Sequence, residues 1–359
     1  MGRAMRRTSG DRTLASHADR ARWTAAGVGF GTMHALARDP IPPVGGTLAP
    51  VVRAADARLA SLIDPGAALV RLADGCIWAE GPVWLPGEGA LEFSDIPNDR
   101  SIRWTSGAGV RVQRQPNDYT NGNTLDREGR VIHCEHGNRR VARTERDGRR
   151  VGLVSHHAGG RLNSPNDVVV TRDGAIWFTD PPYGILTDRE GHEAPSEQVG
   201  CFVYRLDPDT GVPAVVVDSM RHPNGLAFSP DERVLYVADT WAAVTPGAER
   251  HILAYDVAGD GRVGGGRVFA HIEPGVADGL RVDIHGNVWT SAEDGIHIIA
   301  SDGHELGRIL VPEVTSNCVF GGVDGRRLFI TASSSLYAID VLVTGAGVAA
   351  AIARGEDII

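Results

Sequence analysis

The sequence contains no lysine; all 36 of its permanently cationic side chains are arginines. Against them stand 45 acidic residues, and the formal net charge is −9. An acidic chain is poorly suited to gripping a phosphate backbone, so no nucleic-acid partner is expected. No run of about 18 consecutive apolar residues exists, which excludes a spanning helix, and no membrane partner is expected. Cysteine is scarce. Cys76, Cys134, Cys201 and Cys318 stand too far apart for a metal knuckle or a redox pair and read as isolated buried thiols in a reducing compartment. Also missing are a Gly-x-Ser-x-Gly nucleophile elbow, a phosphate-binding P-loop and a dinucleotide-binding glycine fingerprint. His156-His157 lacks partner residues at ligand spacing and reads as an exposed loop.

What is abundant is punctuation. The 359 residues include 45 glycines and 20 prolines, the profile of many turns rather than long helices. Apolar residues at 42% and charged residues at 23% are ordinary for a globular chain. Between the turns lies a repeat: a polar anchor, a short apolar strand, a turn with Gly or Asp, and a second strand. The second strands begin at Leu91, Val131, Ile176, Leu235, Val288 and Leu328, and are rich in β-branched and aromatic residues. The anchors are Glu80, Asn121, Asn166, Asn224, Asp278 and Asn317, at steps of 41, 45, 58, 54 and 39 residues. Two further strands follow each pair, as at Cys201–Leu206 and His251–Val257. Four short strands per unit, six times, predict an all-β fold: a six-bladed β-propeller with four-stranded antiparallel blades. A strand near Ala68–Leu72 is expected to pair with Ser335–Ile339 and close the ring, leaving no open sheet edge.

In a propeller the first strand of each blade lines the central channel. Six anchors in register therefore form a ring of oxygen donors at one channel mouth. Two carboxylates among amide oxygens suit a hard divalent cation, and without one they would repel and raise each other's pKa. No His or Cys occupies an anchor, which argues against a dedicated zinc site. Asp95, Glu135, Asp180 and Asp239 end second strands on the same face, where they could orient the ring residues or cap turns. His136, Tyr183, Arg161 and Trp241 fall in loops of that face and are candidates for lining a pocket.

Several segments carry a family resemblance. They are Ala79-Glu80-Gly81-Pro82-Val83-Trp84, Ser164-Pro165-Asn166-Asp167-Val168, Pro223-Asn224-Gly225-Leu226 and Ala277-Asp278-Gly279-Leu280. Together they resemble the signatures of the SMP-30/gluconolactonase/LRE-like family. Asn121-Gly122-Asn123-Thr124, the stretch Cys134 to Arg140, and Thr179 to Gly184 are similar to its bacterial gluconolactonase branch. The resemblance covers roughly residues 51–343. It implies one divalent metal ion, with Ca²⁺ expected first and Mg²⁺, Mn²⁺ or Zn²⁺ as alternatives. The ligands it implies are Glu80, Asn166, Asn224 and Asp278. The substrate it implies is a small sugar lactone, opened by water after polarisation of the carbonyl. Asp278 is the expected catalytic base, with direct attack by its carboxylate as the alternative. Asn121, Asn166, Arg161 and His136 are the expected substrate contacts. Ester or organophosphate hydrolysis at the same site, and non-catalytic calcium binding, are the competing functions.

The expected organisation is an N-terminal extension over residues 1–49, the propeller over 50–343, and a small-residue tail over 344–359. The expected location is the cytoplasm. Export is the alternative: Arg3, Arg6 and Arg7 precede the weakly apolar stretch Thr24–Met33, and Ala35-Leu36-Ala37 resembles a cleavage site.

Overall fold

A computed structural model describes residues 40–353; the candidate export signal lies outside them. The described chain is almost all strand, arranged as six antiparallel blades. Blade 1 runs Ala79–Leu85, Ala90–Asp95, Arg100–Thr105 and Gly109–Arg114 from channel to rim. Blades 2, 3, 4 and 5 begin with Thr120–Leu125, Val168–Val170, Pro223–Phe228 and Leu280–Val282. Blade 6 takes three strands from the C-terminal end, Thr315–Gly321, Arg327–Ala332 and Ser335–Asp340, and its fourth, Leu69–Ala73, from far upstream. The register pairs Leu336 with Ala73 and Ala338 with Val70, so the ring closes as the sequence predicts. Two more upstream strands add edges: Thr47–Leu48 extends blade 6 and Val52–Ala54 extends blade 5.

The core lies between blades. Trp177, Trp289, Tyr204, Tyr337, Phe93, Phe178 and Phe329 are the largest fully buried side chains, and all come from second or third strands. Burying each contributes on the order of 2 kcal/mol. Trp84 of blade 1 stacks on Phe329 of blade 6, with centroids 5.3 Å apart. The outer strand Gly109–Arg114 is exposed throughout, and its three charged or amide side chains, Arg111, Gln113 and Arg114, blunt that edge against pairing.

His156–His157 is a short strand rather than a loop. It pairs with Gly160–Arg161, and the His157 ring packs on Tyr204 with centroids 5.1 Å apart. The four cysteines are buried and free. The Ala-rich end carries a helix, Ala346–Ala353, whose Val348 packs on the core of blades 5 and 6. No helix among the described residues is long and apolar enough to cross a membrane.

The first strands meet closely at the anchor end. The residue after the anchor is glycine in blades 1, 2, 4 and 5. A Cβ on Gly81 would lie 1.9 Å from the Asn121 carbonyl oxygen, and one on Gly225 would lie 2.0 Å from that of Asp278. Backbone cannot yield as a flexible side chain can. Gly225→Ala should therefore cost about 2 kcal/mol or more in chemical denaturation. Gly87→Ala, in open space on a turn, should stay within about 0.5 kcal/mol.

Candidate functional site

The anchors are placed by a recurrent irregularity. In blades 1, 2, 4 and 6 the first strand bulges at the anchor, between Glu80 and Val83, Thr120 and Asn123, Pro223 and Leu226, and Thr315 and Asn317. A bulge bends the strand and re-aims a side chain. In blades 3 and 5 the anchors Asn166 and Asp278 stand two residues before the regular strand. All six anchors are buried, only 2–6% exposed.

Contacts between successive blades join them into one ring. The Gly122 amide donates to the Asn166 carbonyl at 2.8 Å, and the Thr179 hydroxyl donates to the Asn224 carbonyl at 2.8 Å. Blade 6 meets blade 1 where the Asn317 amide donates to Glu80 Oε2 at 3.1 Å. Glu80 Oε2 also accepts the Gly81 N–H at 2.7 Å.

Strand-end carboxylates hold the loops that present the anchors. Asp95 accepts the N–H groups of Ile77 and Trp78, Asp180 those of Asn163 and Ser164, and Asp239 those of Arg221 and His222, all at 2.8–3.3 Å. Each pair of donors sits three and two residues before an anchor. These acids therefore position ring residues through backbone. In blade 2 the same task falls to Asp99, which accepts from Asn117 and Tyr119, while Glu135 pairs with Arg140 and Arg150.

His136 is fully buried beside the ring. Its Nδ1 lies 3.0 Å from the Glu190 carbonyl oxygen, which can only accept, so Nδ1 carries the proton. Its Nε2 then offers a lone pair to the Asn121 amide at 3.4 Å. Arg161 stands apart from this network. Its guanidinium donates to the Asn138 carbonyl at 2.9 Å, and its backbone N–H to Glu197. Tyr183 is buried, and its hydroxyl bonds the Thr240 hydroxyl and lies 3.4 Å from His222 Nδ1. Thr240 in turn accepts from the Asn224 amide at 3.3 Å. Trp241 lies under the Arg221 guanidinium, 5.3 Å from its ring centroid.

Three charged residues near the ring escape a reading by repeats. Asp167 follows the anchor Asn166, where four of the other blades carry glycine, and its Oδ2 lies 3.6 Å from Nη1 of Arg281. Glu190 belongs to the long segment between the second and third strands of blade 3, and acts on Asp278 from the mouth. The unusually wide step from Asn166 to Asn224 is its one trace in the sequence.

Burial raises the pKa of Asp278 far above the carboxylate range, and the charges of Glu80, Asp167 and Glu190 push it further. Glu80 is raised for the same first reason, with Asp167 adding to the shift while Gly81, Asn317 and Arg281 oppose it. Two desolvated carboxylates that hinder each other's ionisation, beside amide oxygens, are a donor set that fits a hard divalent cation. Among the described residues no group of three or more His, Cys, Asp or Glu side chains is placed to hold an ion.

Fold and ring define a six-bladed propeller with an oxygen-lined, acidic channel mouth. The chain belongs to the SMP-30/gluconolactonase/LRE-like family, whose region matches residues 78–334. It is 32% identical over 306 residues to the gluconolactonase of Zymomonas mobilis, covering 79% of this chain and 83% of that protein. The pentonolactonase XacC of Haloferax volcanii is 28% identical over 298 residues, 75% of this chain and 93% of its own. A gluconolactonase structure from Xanthomonas campestris aligns with a TM-score of 0.77 at 39% identity, over 85% of this chain and 98% of that one.

Burial lowers the pKa of His136 from 6.5 to about 4. Between those values the unfolded chain holds a proton here that the folded chain does not. The stability from the neutral ring is complete above about pH 6.5 and is lost as pH falls toward about 4, by up to about 3 kcal/mol. Denaturation curves across this window should fall less steeply for His136→Gln than for the wild type. Identical slopes would show that His136 titrates normally.

Proposed function

We propose that this protein is a lactonase that opens sugar lactones, using a divalent cation held by Glu80, Asn166, Asn224 and Asp278. The observation that carries this reading is the buried ring, in which two carboxylates and several side-chain amides converge. The relatives named as gluconolactonase and pentonolactonase support the substrate class.

A lactone is a cyclic ester whose carbonyl oxygen gains negative charge as water attacks. The cation supplies Lewis acidity toward that oxygen. The chain's own residues supply the rest. Asp278 holds the attacking water and accepts its proton. Asn121 presents its amide to ring oxygens or hydroxyls of the sugar, and His136 fixes its direction by accepting one amide hydrogen. Asn166 adds a second polar contact. Thr240, bonded to Tyr183, orients the Asn224 amide. Burial of the ring excludes bulk water and strengthens each of these interactions. Arg161 is the weaker substrate contact, because its guanidinium is engaged by Asn138.

The test is proton release from glucono-δ-lactone, then from a panel of aldono-lactones, on chelated protein with metals returned singly. Activity lost to chelator and restored by Ca²⁺ or another divalent ion is the expected result. Folded protein inactive on every lactone with every metal would transfer the assignment to ester or organophosphate hydrolysis, or to calcium binding without catalysis. Asp278→Asn should lower kcat by about 10²–10⁴. Retention within tenfold removes Asp278 as the base. Glu80→Gln should weaken metal binding in calorimetry, and unchanged affinity would remove Glu80 from the ligand set.

A further inference from the structure

Three residues beyond each anchor, about 10 Å further along the first strands, stands a second ring. Its members are Val83, Thr124, Val169, Ala227, Arg281 and Phe320. All six line one cavity of about 280 Å³. The C-terminal helix, Ala346–Ala353, supplies part of the wall through Val348 and Ala351. That helix is seated closely: the Ile284 N–H donates to the Thr344 carbonyl at 3.0 Å, and a Cβ on Gly345 would lie 2.5 Å from Phe320. Arg281 is the one charged member of the ring, and in an apolar wall a charged side chain is the informative exception. Its side chain is 16% exposed. Nη1 donates to the Leu280 carbonyl at 2.7 Å and lies 3.6 Å from Asp167 Oδ2. Nε and Nη2 hydrogen-bond none of the described residues. Trp84, in the same wall, is 8% exposed, and its Nε1 is buried without a hydrogen-bond partner. Guanidinium and indole N–H groups only donate, so an occupant must bring the acceptor. The two acids of the lining are already engaged, Asp126 by Arg130 and Glu232 by the Arg172 N–H.

We propose that this cavity is a second ligand site, separate from the anchor mouth, and that it takes a small monocarboxylic acid with an apolar chain. The carboxylate oxygens match the Nε–Nη2 edge of Arg281, the fork geometry in which guanidinium binds carboxylate best. Asp167 approaches the Nη1 side alone, and beyond hydrogen-bond distance, so that edge remains for a ligand. The chain lies against Val83, Val169, Phe320 and Val348, where burial of apolar surface supplies affinity. The volume is near the lower limit, about 300 Å³, of pockets that hold drug-sized molecules, so the acid is small. A polyhydroxylated acid is excluded, because its hydroxyls would be buried against apolar walls without partners. The site is therefore closed to the open-chain product of a sugar lactone, and the proposal does not rest on the lactonase reading.

Calorimetric titration of the full chain with octanoate tests this without an activity assay. One octanoate should bind per chain, and octylammonium, which has the same chain and a donor head, should bind at least about tenfold more weakly. Gluconate at equal concentration should leave octanoate binding unchanged. Arg281→Met should weaken octanoate by about tenfold or more. Ala351→Trp, which adds bulk to the wall from the helix, should weaken it as well. No octanoate binding, or equal affinity for octylammonium, overturns the proposal. So does displacement by gluconate, which would place the acid at the anchor mouth, and so does a smaller loss in Arg281→Met or none in Ala351→Trp. Circular dichroism establishes folding, since Arg281→Met leaves Asp167 unpaired. Where that variant does not fold, D167N/R281M removes both members of the pair and takes its place, with the same tenfold loss expected and a smaller one overturning the proposal.

Discussion

At the channel mouth, the backbone of one anchor occupies the space where the preceding blade's next residue would carry a Cβ. Gly81 against Asn121, Gly122 against Asn166, and Gly225 against Asp278 are three instances of one steric rule. The glycines let six first strands converge until their anchors join through backbone and side-chain hydrogen bonds. Convergence is also what brings Glu80 and Asp278 into mutual electrostatic reach. The proximity that gathers these side-chain oxygens at the mouth is therefore inherited from close strand packing, not added to it.

This crowding has an energetic counterpart. A carboxylate withdrawn from water must find hydrogen bonds, a cation or a proton. The acids of this propeller divide accordingly. Asp95, Asp180 and Asp239 are satisfied by backbone N–H groups and so brace loops. Glu135 is satisfied by arginines. Glu80 and Asp278 have only partial compensation, and they are the ones that face the channel. The fold thus separates the carboxylates that brace loops from those left facing the channel by how completely each is paired.

The architecture was legible in the sequence because its signals are linear. Anchor, strand, turn and strand recur in order, and a second strand such as Ile176-Trp177-Phe178-Thr179 declares itself through residue type. The anchors themselves were legible for the same reason. What pairing does to a residue was not. The strand-end acids carry no mark that tells an acceptor of backbone N–H from an acid facing a ligand. Asp167 stands inside a conspicuous motif, but its meaning needs Arg281, more than a hundred residues away. Glu190 reaches the mouth only because the long segment of blade 3 folds back to give its carbonyl to His136. His156-His157 looked like a loop because a two-residue strand is too short to show alternation.

The upstream strand that completes blade 6 also governs when the ring can exist. Leu69–Ala73 is made well before its partner Ser335–Asp340, the last of the described strands. Until that partner arrives, the sixth anchor, Asn317, has no closed ring through which to hold Glu80. Pairing over such a span of sequence is slow, because chain closure must be achieved before the contacts repay it. The channel mouth is accordingly a late product of folding, and a nascent chain lacking its final blade carries the other five anchors without the centre they define.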